Sequence, residues 1–222
     1  MRRIFRENGL SIVFFLLFLL SLVGQSVTGL SEYNEEQKEH RQPEVSYTEY
    51  LTTGHFIEAT FENWESEFLQ MAAFVVLTVF LYQKGSAESK DPYRTEEFDV
   101  VPAKSRLPSD APAPVRRGGL VGKLYENSLG LAFLVLFLLS MWLHAVGGAE
   151  EYNEDQLAHA RGFQAITPLQ YIGTTRFWFE SFQNWQSEFL SVLAMVIFSI
   201  FLRQKGSPES KPMYTAHSDT ED

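Results

Sequence analysis

Two sets of carboxylate and imidazole side chains have a spacing that could assemble a metal site. They are Glu32, Glu36 and His40 in the first half of the chain, and Glu151, Asp155 and His159 in the second. The i, i+4, i+8 spacing places each set on one face of a helix. Carboxylate and imidazole suit Zn, Mn or Fe, and the same groups could relay protons. The sequence favours the alternative of two solvated faces, so we predict no cofactor while a divalent metal stays open.

A second motif occurs twice, as FENWESEFLQ at 61–70 and as FQNWQSEFLS at 182–191. Its shared polar and aromatic residues are Asn63, Trp64, Glu67, Asn184, Trp185 and Glu188. They could line a common pocket. A structural and interface role is favoured, because Trp anchors at a membrane surface and Asn bonds to neighbouring helices.

The overall composition excludes several classes of protein. The chain contains no cysteine, so it has neither disulfides nor a thiol nucleophile. The net charge of -10 argues against nucleic acid as a partner, because phosphate binding needs a basic face. The sequence contains no Gly-rich phosphate loop, nucleophile elbow or metalloprotease helix motif. We therefore predict that the protein is not an enzyme.

Long apolar runs indicate helices that cross a lipid bilayer, where about 20 apolar residues are needed. The predicted spans are about 9–30, 62–83, 128–148 and 183–204. The second and fourth runs are short, but aromatic residues precede them and Lys or Arg follows them, as is typical of membrane interfaces. A secretory signal peptide is the alternative for the first run, and its length argues against that.

The two halves of the sequence repeat each other. EYNEEQKEH at 32–40 matches EYNEDQLAH at 151–159, and QKGSAESK at 83–90 matches QKGSPESK at 204–211. The predicted organisation is repeat 1 at 1–91, a disordered cytoplasmic linker at 92–119, repeat 2 at 120–212 and a disordered tail at 213–222. The predicted fold class is an all-α membrane protein, with four transmembrane helices arranged as two parallel two-span repeats with helical extracytoplasmic segments.

The distribution of Lys and Arg predicts the orientation. Basic residues concentrate at the N-terminus, in the linker and after the last run, whereas the connections at 31–67 and 150–188 are acidic. Positive segments stay in the cytoplasm, so both termini are predicted to be cytoplasmic and the acidic connections external.

The apolar and polar segments together resemble a known family. NGLSIVFFLLFLLSLVGQSVTG, EYNEEQKEH and FENWESEFLQMAAFVVLTVFLYQKGSAESKDP are similar to an uncharacterised family of bacterial integral membrane proteins, catalogued as a domain of unknown function. The resemblance covers both halves and implies the bacterial cytoplasmic (inner) membrane. It implies no activity, cofactor or catalytic residue.

Three functions fit these observations. The first is a non-catalytic scaffold or accessory protein that acts through its acidic caps, with the lipid bilayer and a second copy or another membrane protein as partners. The second is a small transporter or cation channel, since an acidic vestibule attracts cations. The third is a metal- or proton-linked membrane protein that uses the two Glu/His faces.

Overall fold

Helices are the only regular secondary structure in the described part of the chain, which covers residues 2–96, 99–100, 107–159 and 164–220 of the computed structural model. The helices are α1 (Arg2–Glu39), α2 (Tyr47–Tyr50), α3 (Gly54–Phe80), α4 (Ala113–Arg117), α5 (Gly119–Glu126), α6 (Ser128–His159), α7 (Pro168–Ile172) and α8 (Thr175–Phe201). The all-α prediction is therefore confirmed for these residues.

The short helices α2 and α7 begin with the same local chemistry. Ser46 and Glu49 form a capping box at the start of α2, and Thr167 and Gln170 form one at the start of α7. In each box the hydroxyl accepts from a backbone N–H and the longer side chain bonds back to the cap residue, which satisfies two donors left open at the helix start. Pro168 adds the fixed φ that suits a first helical position.

Among the described residues, three helices are long and apolar enough to cross a membrane, namely Arg3–Glu39, Ser128–Leu157 and Thr175–Phe201. They contain the predicted spans at 9–30 and 128–148 and most of the one at 183–204. The predicted span at 62–83 lies in α3, which is not among these helices, so the prediction of four transmembrane helices is corrected to three on length and composition.

The composition of α3 explains the correction. Its apolar run extends only from Phe68 to Phe80, where the helix ends, whereas a span needs about 20 apolar residues. The helix α8 has a similar run but carries Gln183 and Gln186 where α3 carries Glu62 and Glu65. Within the apolar run, α3 has Gln70 and Ala72 where α8 has Ser191 and Leu193, so only α8 reaches the hydropathy of a span.

The chain divides into two compact units. Unit 1 comprises Met1–Phe61 and Trp142–Phe177, and unit 2 comprises Glu62–Met141 and Trp178–Asp222. Each unit therefore takes segments from both sequence repeats.

In unit 1, an asparagine near the end of α1 binds the backbone of the segment that follows α1, and an asparagine in α6 does the same for the segment that follows α6. The side-chain amide of Asn34 donates to the carbonyl oxygen of Val45 at 3.1 Å and accepts from the Val45 N–H at 2.8 Å. Asn153 makes the corresponding pair of bonds with Ile166, at 2.9 and 2.8 Å. Each asparagine thus satisfies both polar groups of one backbone residue and fixes where the chain turns back.

In unit 2, the segments after α3 and α8 form matching turns. The Gln83 N–H donates to the Ser89 hydroxyl and the Gln204 N–H donates to the Ser210 hydroxyl, both at 2.8 Å. Gly85 has a φ of 85°, in the region that favours glycine. The turns are therefore set by local sequence, as the repeated QKGS letters suggest.

The end of the chain folds around one lysine of unit 2. The Lys211 ammonium donates to the carbonyl oxygens of Ala216, His217 and Asp219, at 3.2, 3.2 and 2.8 Å. Lys211 is 1% exposed. These three carbonyls replace the water that the ammonium loses on burial.

Parts of the predicted linker and tail, at 97–98, 101–106 and 221–222, lie outside the described residues. Within the predicted linker, Ala113–Arg117 form α4. The predicted domain boundaries stay predictions.

Candidate functional site

An acidic cavity of about 360 Å³ lies at the C-terminal ends of α1 and α6, within unit 1. Its charged and aromatic lining residues are Tyr33, Glu36, His40, Glu151, Glu154 and Asp155. Four carboxylates and one imidazole thus surround a space large enough for a hydrated ion, since one water occupies about 30 Å³. We refer to this space as the acidic cavity.

The acidic cavity brings together four of the six residues predicted as metal ligands. Glu36, His40, Glu151 and Asp155 all line it. Glu32 is not among the lining residues, and the side chain of His159 lies outside the described residues. The i, i+4 spacing therefore identified one face of α1 and one face of α6, and the fold turns these faces toward one space.

Tyr33 and Glu154 are lining residues that the sequence analysis missed. The Tyr33 hydroxyl donates to the Glu154 carboxylate at 3.1 Å, and Tyr33 is 5% exposed. Glu154 is three residues beyond Glu151, so the i, i+3 relation on the same helix face could have indicated it.

Glu151 stands at the inner side of the acidic cavity. Its Oε2 atom is buried and has no hydrogen-bond partner within the described ranges. Its charge interacts with Glu36 and Glu154 of the cavity, with Glu58 behind it and with Arg176. Neighbouring carboxylates repel one another, and a partly buried one such as Glu151 is costly unless a cation or a proton neutralises part of the charge. The arrangement can therefore bind a cation.

Behind Glu151 lies a buried polar cluster centred on Glu58. The Tyr171 hydroxyl donates to the Glu58 carboxylate at 3.0 Å, and the Arg176 guanidinium lies 3.9 Å from the same oxygen. A ring nitrogen of His144 lies within 4.8 Å of a carboxylate oxygen of Glu58, and His144 has no exposed surface. His144 stacks on Phe177 with a centroid distance of 4.7 Å. This cluster combines a carboxylate, a phenol and an imidazole in the interior with a guanidinium that is partly exposed.

The close approach of the α3 and α6 backbones brings the residues of this cluster together. A Cβ atom built on Gly54 would lie 2.7 Å from the amide nitrogen of Glu151 and 2.8 Å from the carbonyl oxygen of Gly147. Only glycine leaves room for this crossing, which is how small residues act between membrane helices. Because α3 begins at Gly54, the crossing carries Glu58, one turn later, against α6.

The sequence analysis missed Glu58, Tyr171 and Arg176. Glu58 aligns with Phe179 of the second repeat, and Arg176 aligns with His55 of the first. Positions at which two otherwise matching repeats exchange a charged residue for an apolar or different one are the signal that could have found Glu58 and Arg176. His144 follows the same pattern, because Gln25 occupies the matching position. Tyr171 aligns with Tyr50 and carries no such signal.

The repeated motif at 61–70 and 182–191, with its Asn and Trp residues, has a packing role in unit 2. The Trp185 indole N–H donates to the Glu65 carboxylate at 3.0 Å, and the Asn184 amide donates to the Glu62 carboxylate. The backbone carbonyl of Glu188 accepts from the Gln70 amide at 3.1 Å. Asn63 and Glu67 are exposed and Trp64 is half-buried. These bonds join α3 to α8 and support the structural interpretation of this motif.

Comparison with known proteins gives a family and no function. No curated protein and no solved structure matches the chain. A family model, described as a domain of unknown function, matches residues 1–222. The expectation from the sequence, a family without an assigned activity, is confirmed. The chain therefore belongs to the family of the domain of unknown function DUF6766.

Proposed function

We propose that the protein is an integral membrane protein that binds a hydrated divalent cation in the acidic cavity. The observation that carries this proposal is that Glu36 and His40 of α1 line one cavity with Glu151 and Asp155 of α6. This convergence is what a shared site requires, and two faces that pointed apart into solvent would not show it.

The ligand chemistry indicates which cations fit. Carboxylate oxygens with one imidazole nitrogen suit Zn²⁺, Mn²⁺ or Fe²⁺. The cavity of about 360 Å³ exceeds the volume of a bare ion, so a bound ion keeps several waters. The surplus of carboxylates raises the local concentration of cations. These features support reversible uptake rather than a permanent structural metal.

A binding measurement tests the proposal. Purified protein in detergent is titrated with Zn²⁺ and with Mn²⁺, and bound metal is counted after dialysis. The double variant Glu36→Gln with Asp155→Asn should bind at least about tenfold more weakly, because it removes two ligands. The matched control, Glu35→Gln with Glu39→Gln, changes the net charge equally at exposed positions of α1 that do not line the cavity. Absent binding in the unmodified protein, or equal loss in the control, would overturn the proposal.

The orientation is part of the proposal. Arg3 and Arg6 lie in the first turns of α1, and Arg116, Arg117 and Lys123 precede α6. The positive-inside rule supports cytoplasmic N-terminal ends for both helices, with the acidic cavity on the outer side of a bacterial cytoplasmic membrane. This orientation requires α3, which lies between them in the chain, to cross the membrane as well, although it is less apolar than the other three long helices.

Cysteine labelling tests the orientation, because the chain has no cysteine of its own. A membrane-impermeant maleimide should label Glu35→Cys in intact cells and should label Lys205→Cys only after permeabilisation. Labelling in the reverse pattern would contradict the orientation. Lys84→Cys should likewise be labelled only after permeabilisation, because the chain has returned to the cytoplasm after α3 in this orientation. Labelling of Lys84→Cys in intact cells would show that α3 does not cross and would contradict the orientation.

A second candidate function is cation or proton movement, which the buried cluster behind the cavity favours. Ionisable residues inside a membrane protein often mark ion or proton pathways. Glu151 interacts electrostatically with Glu58, and Glu58 lies within 4.8 Å of His144. Liposomes containing the protein and a pH-sensitive dye should show flux that Glu58→Gln abolishes. If cations bind and no flux occurs, the protein binds cations without moving them; if neither occurs, the scaffold role gains support.

A further inference from the structure

A groove of about 270 Å³ runs between α3 and α8 in unit 2, separate from the acidic cavity. Its walls are largely apolar. The apolar lining includes Ala73, Phe74 and Leu77 of α3 and Phe189, Val192 and Val196 of α8. Gln70 lies at one end, where its amide already donates to the Glu188 carbonyl and the Ser191 hydroxyl. Glu88 and Ser89 lie at the other end.

The length of the groove matches one leaflet of a bilayer. Gln70 and Leu81 both line it, and a helix rises 1.5 Å per residue, so it extends for about 16 Å. The hydrocarbon core of a bilayer is about 30 Å thick, so a leaflet contributes about half of that. An acyl chain therefore fits along the groove, beside the membrane-spanning helix α8.

Glu88 gives the groove a polar end that lacks a donor. Its Oε1 atom is buried and has no hydrogen-bond partner in the parts of the chain that the structure describes. Burial raises the pKa of Glu88, and the charge of Glu209 raises it further. A buried acceptor without a donor is costly, so a ligand that supplies an N–H group here gains binding energy.

Hydrogen bonds in the surrounding turn position Glu88, so a donor to its Oε1 atom would come from a bound ligand. The Ser86 hydroxyl accepts from the Glu88 N–H at 3.1 Å and forms a 2.8 Å hydrogen bond with the Ser199 hydroxyl of α8. The nearby Lys90 ammonium already donates to Asp99 at 2.7 Å. The turn is thus fixed before any ligand binds, which lowers the entropic cost of binding.

We propose that this groove binds one phospholipid with a primary-amine headgroup, its acyl chain lying between α3 and α8 and its ammonium donating to Glu88. The apolar walls select a lipid chain, and the acid at the end selects a cationic donor over a purely anionic headgroup. The proposal is independent of cation binding in the acidic cavity.

Native mass spectrometry of the delipidated full chain tests this site. Phosphatidylethanolamine and phosphatidylglycerol with identical acyl chains are compared. We expect one tightly bound phosphatidylethanolamine per chain, with about tenfold preference over phosphatidylglycerol, because a charged hydrogen bond distinguishes them. Equal binding of the two lipids by the unmodified protein would overturn the proposal.

Two variants and one control separate the chain from the headgroup. Glu88→Gln should lose the preference and still bind lipid, whereas Ala73→Phe should block the groove to both lipids. Glu209→Gln, at the matching position of the second repeat, leaves Glu88 in place and should keep or strengthen the preference, because the charge of Glu209 acts against ionisation of Glu88. Unchanged preference in Glu88→Gln, or the same loss in Glu209→Gln, would contradict the headgroup contact. A dimer in the unmodified protein that Ala73→Phe dissociates would assign the groove to a second copy instead.

Discussion

The hydroxyl of Tyr171 donates a 3.0 Å hydrogen bond to the carboxylate of Glu58. The two residues come from different halves of the sequence, and both are buried. A buried carboxylate is stable only when donors or opposite charges surround it, and here a phenol and the Arg176 guanidinium do so. This bond therefore couples the folding of α7 to the start of α3.

Replacing Tyr171 with Phe should destabilise the protein by about 1–3 kcal/mol, because the Glu58 carboxylate loses a donor in a buried place. Unfolding in increasing dodecyl sulfate, followed by circular dichroism, measures the change. Tyr50→Phe is the matched control at the corresponding position, where the hydroxyl bonds to the His55 imidazole at 3.1 Å. A loss in Tyr50→Phe equal to or larger than that in Tyr171→Phe would contradict the importance of the carboxylate.

Replacing Gly54 with Ala should destabilise the protein by about 1–3 kcal/mol, because the new methyl group would press against the backbone of α6. The control is Gly24→Ala, where a Cβ atom meets nothing within 4 Å. That change should be neutral or should stabilise the helix by up to about 1 kcal/mol, since alanine is the better helix former. The same unfolding assay compares both variants, and equal effects would show that the crossing tolerates a side chain.

Replacing Asn153 with Ala should loosen the backbone at Ile166, in the segment between α6 and α7. The variant loses both hydrogen bonds to that backbone residue, so the Ile166 amide should exchange with deuterium roughly tenfold faster or more. Hydrogen exchange read by mass spectrometry measures this. Asn127→Ala removes only a local bond to the carbonyl of Lys123 and should leave Ile166 unchanged. Unchanged exchange at Ile166 in Asn153→Ala would show that other contacts hold the connection.

Tyr50 should make the folded protein sensitive to alkali. Burial, with the charges of Glu32 and Glu151, raises the pKa of Tyr50 to about 12 from its ordinary value of 10.0. Its stabilising contribution is complete below pH 10 and is lost as the pH rises through about 12, because the unfolded state ionises first. Unfolding measured at pH 9 and at pH 11.5 should show a larger loss in the unmodified protein than in Tyr50→Phe. Equal losses would exclude this contribution.

Local sequence signals predicted the helices and part of the site well. The apolar runs lie in α1, α3, α6 and α8, and the break at Pro168 coincides with the start of α7. The i, i+4 spacing also identified Glu36 and His40 as one face. These signals succeed because helix periodicity and proline geometry depend on near neighbours in the sequence.

Contacts between distant segments escaped prediction. The bond from Tyr171 to Glu58 needs the approach of Gly54 to Gly147, and nothing in the local sequence states which helix each glycine meets. The prediction of four spans was wrong on length and composition for a different reason. Similarity to α8 suggested that α3 would be equally apolar, but its apolar run contains Gln70 and Ala72 where that of α8 contains Ser191 and Leu193.

The enclosure of Lys211 bears on chemical labelling of this protein. Acylation requires an accessible, unprotonated amine, and here three backbone carbonyls accept hydrogen bonds from the Lys211 ammonium and hold it out of solvent. Peptide mapping after brief treatment with an acylating reagent should therefore find Lys205 modified and Lys211 intact. The reactivity of Lys211 then becomes a built-in gauge of whether the C-terminal residues are wrapped or released.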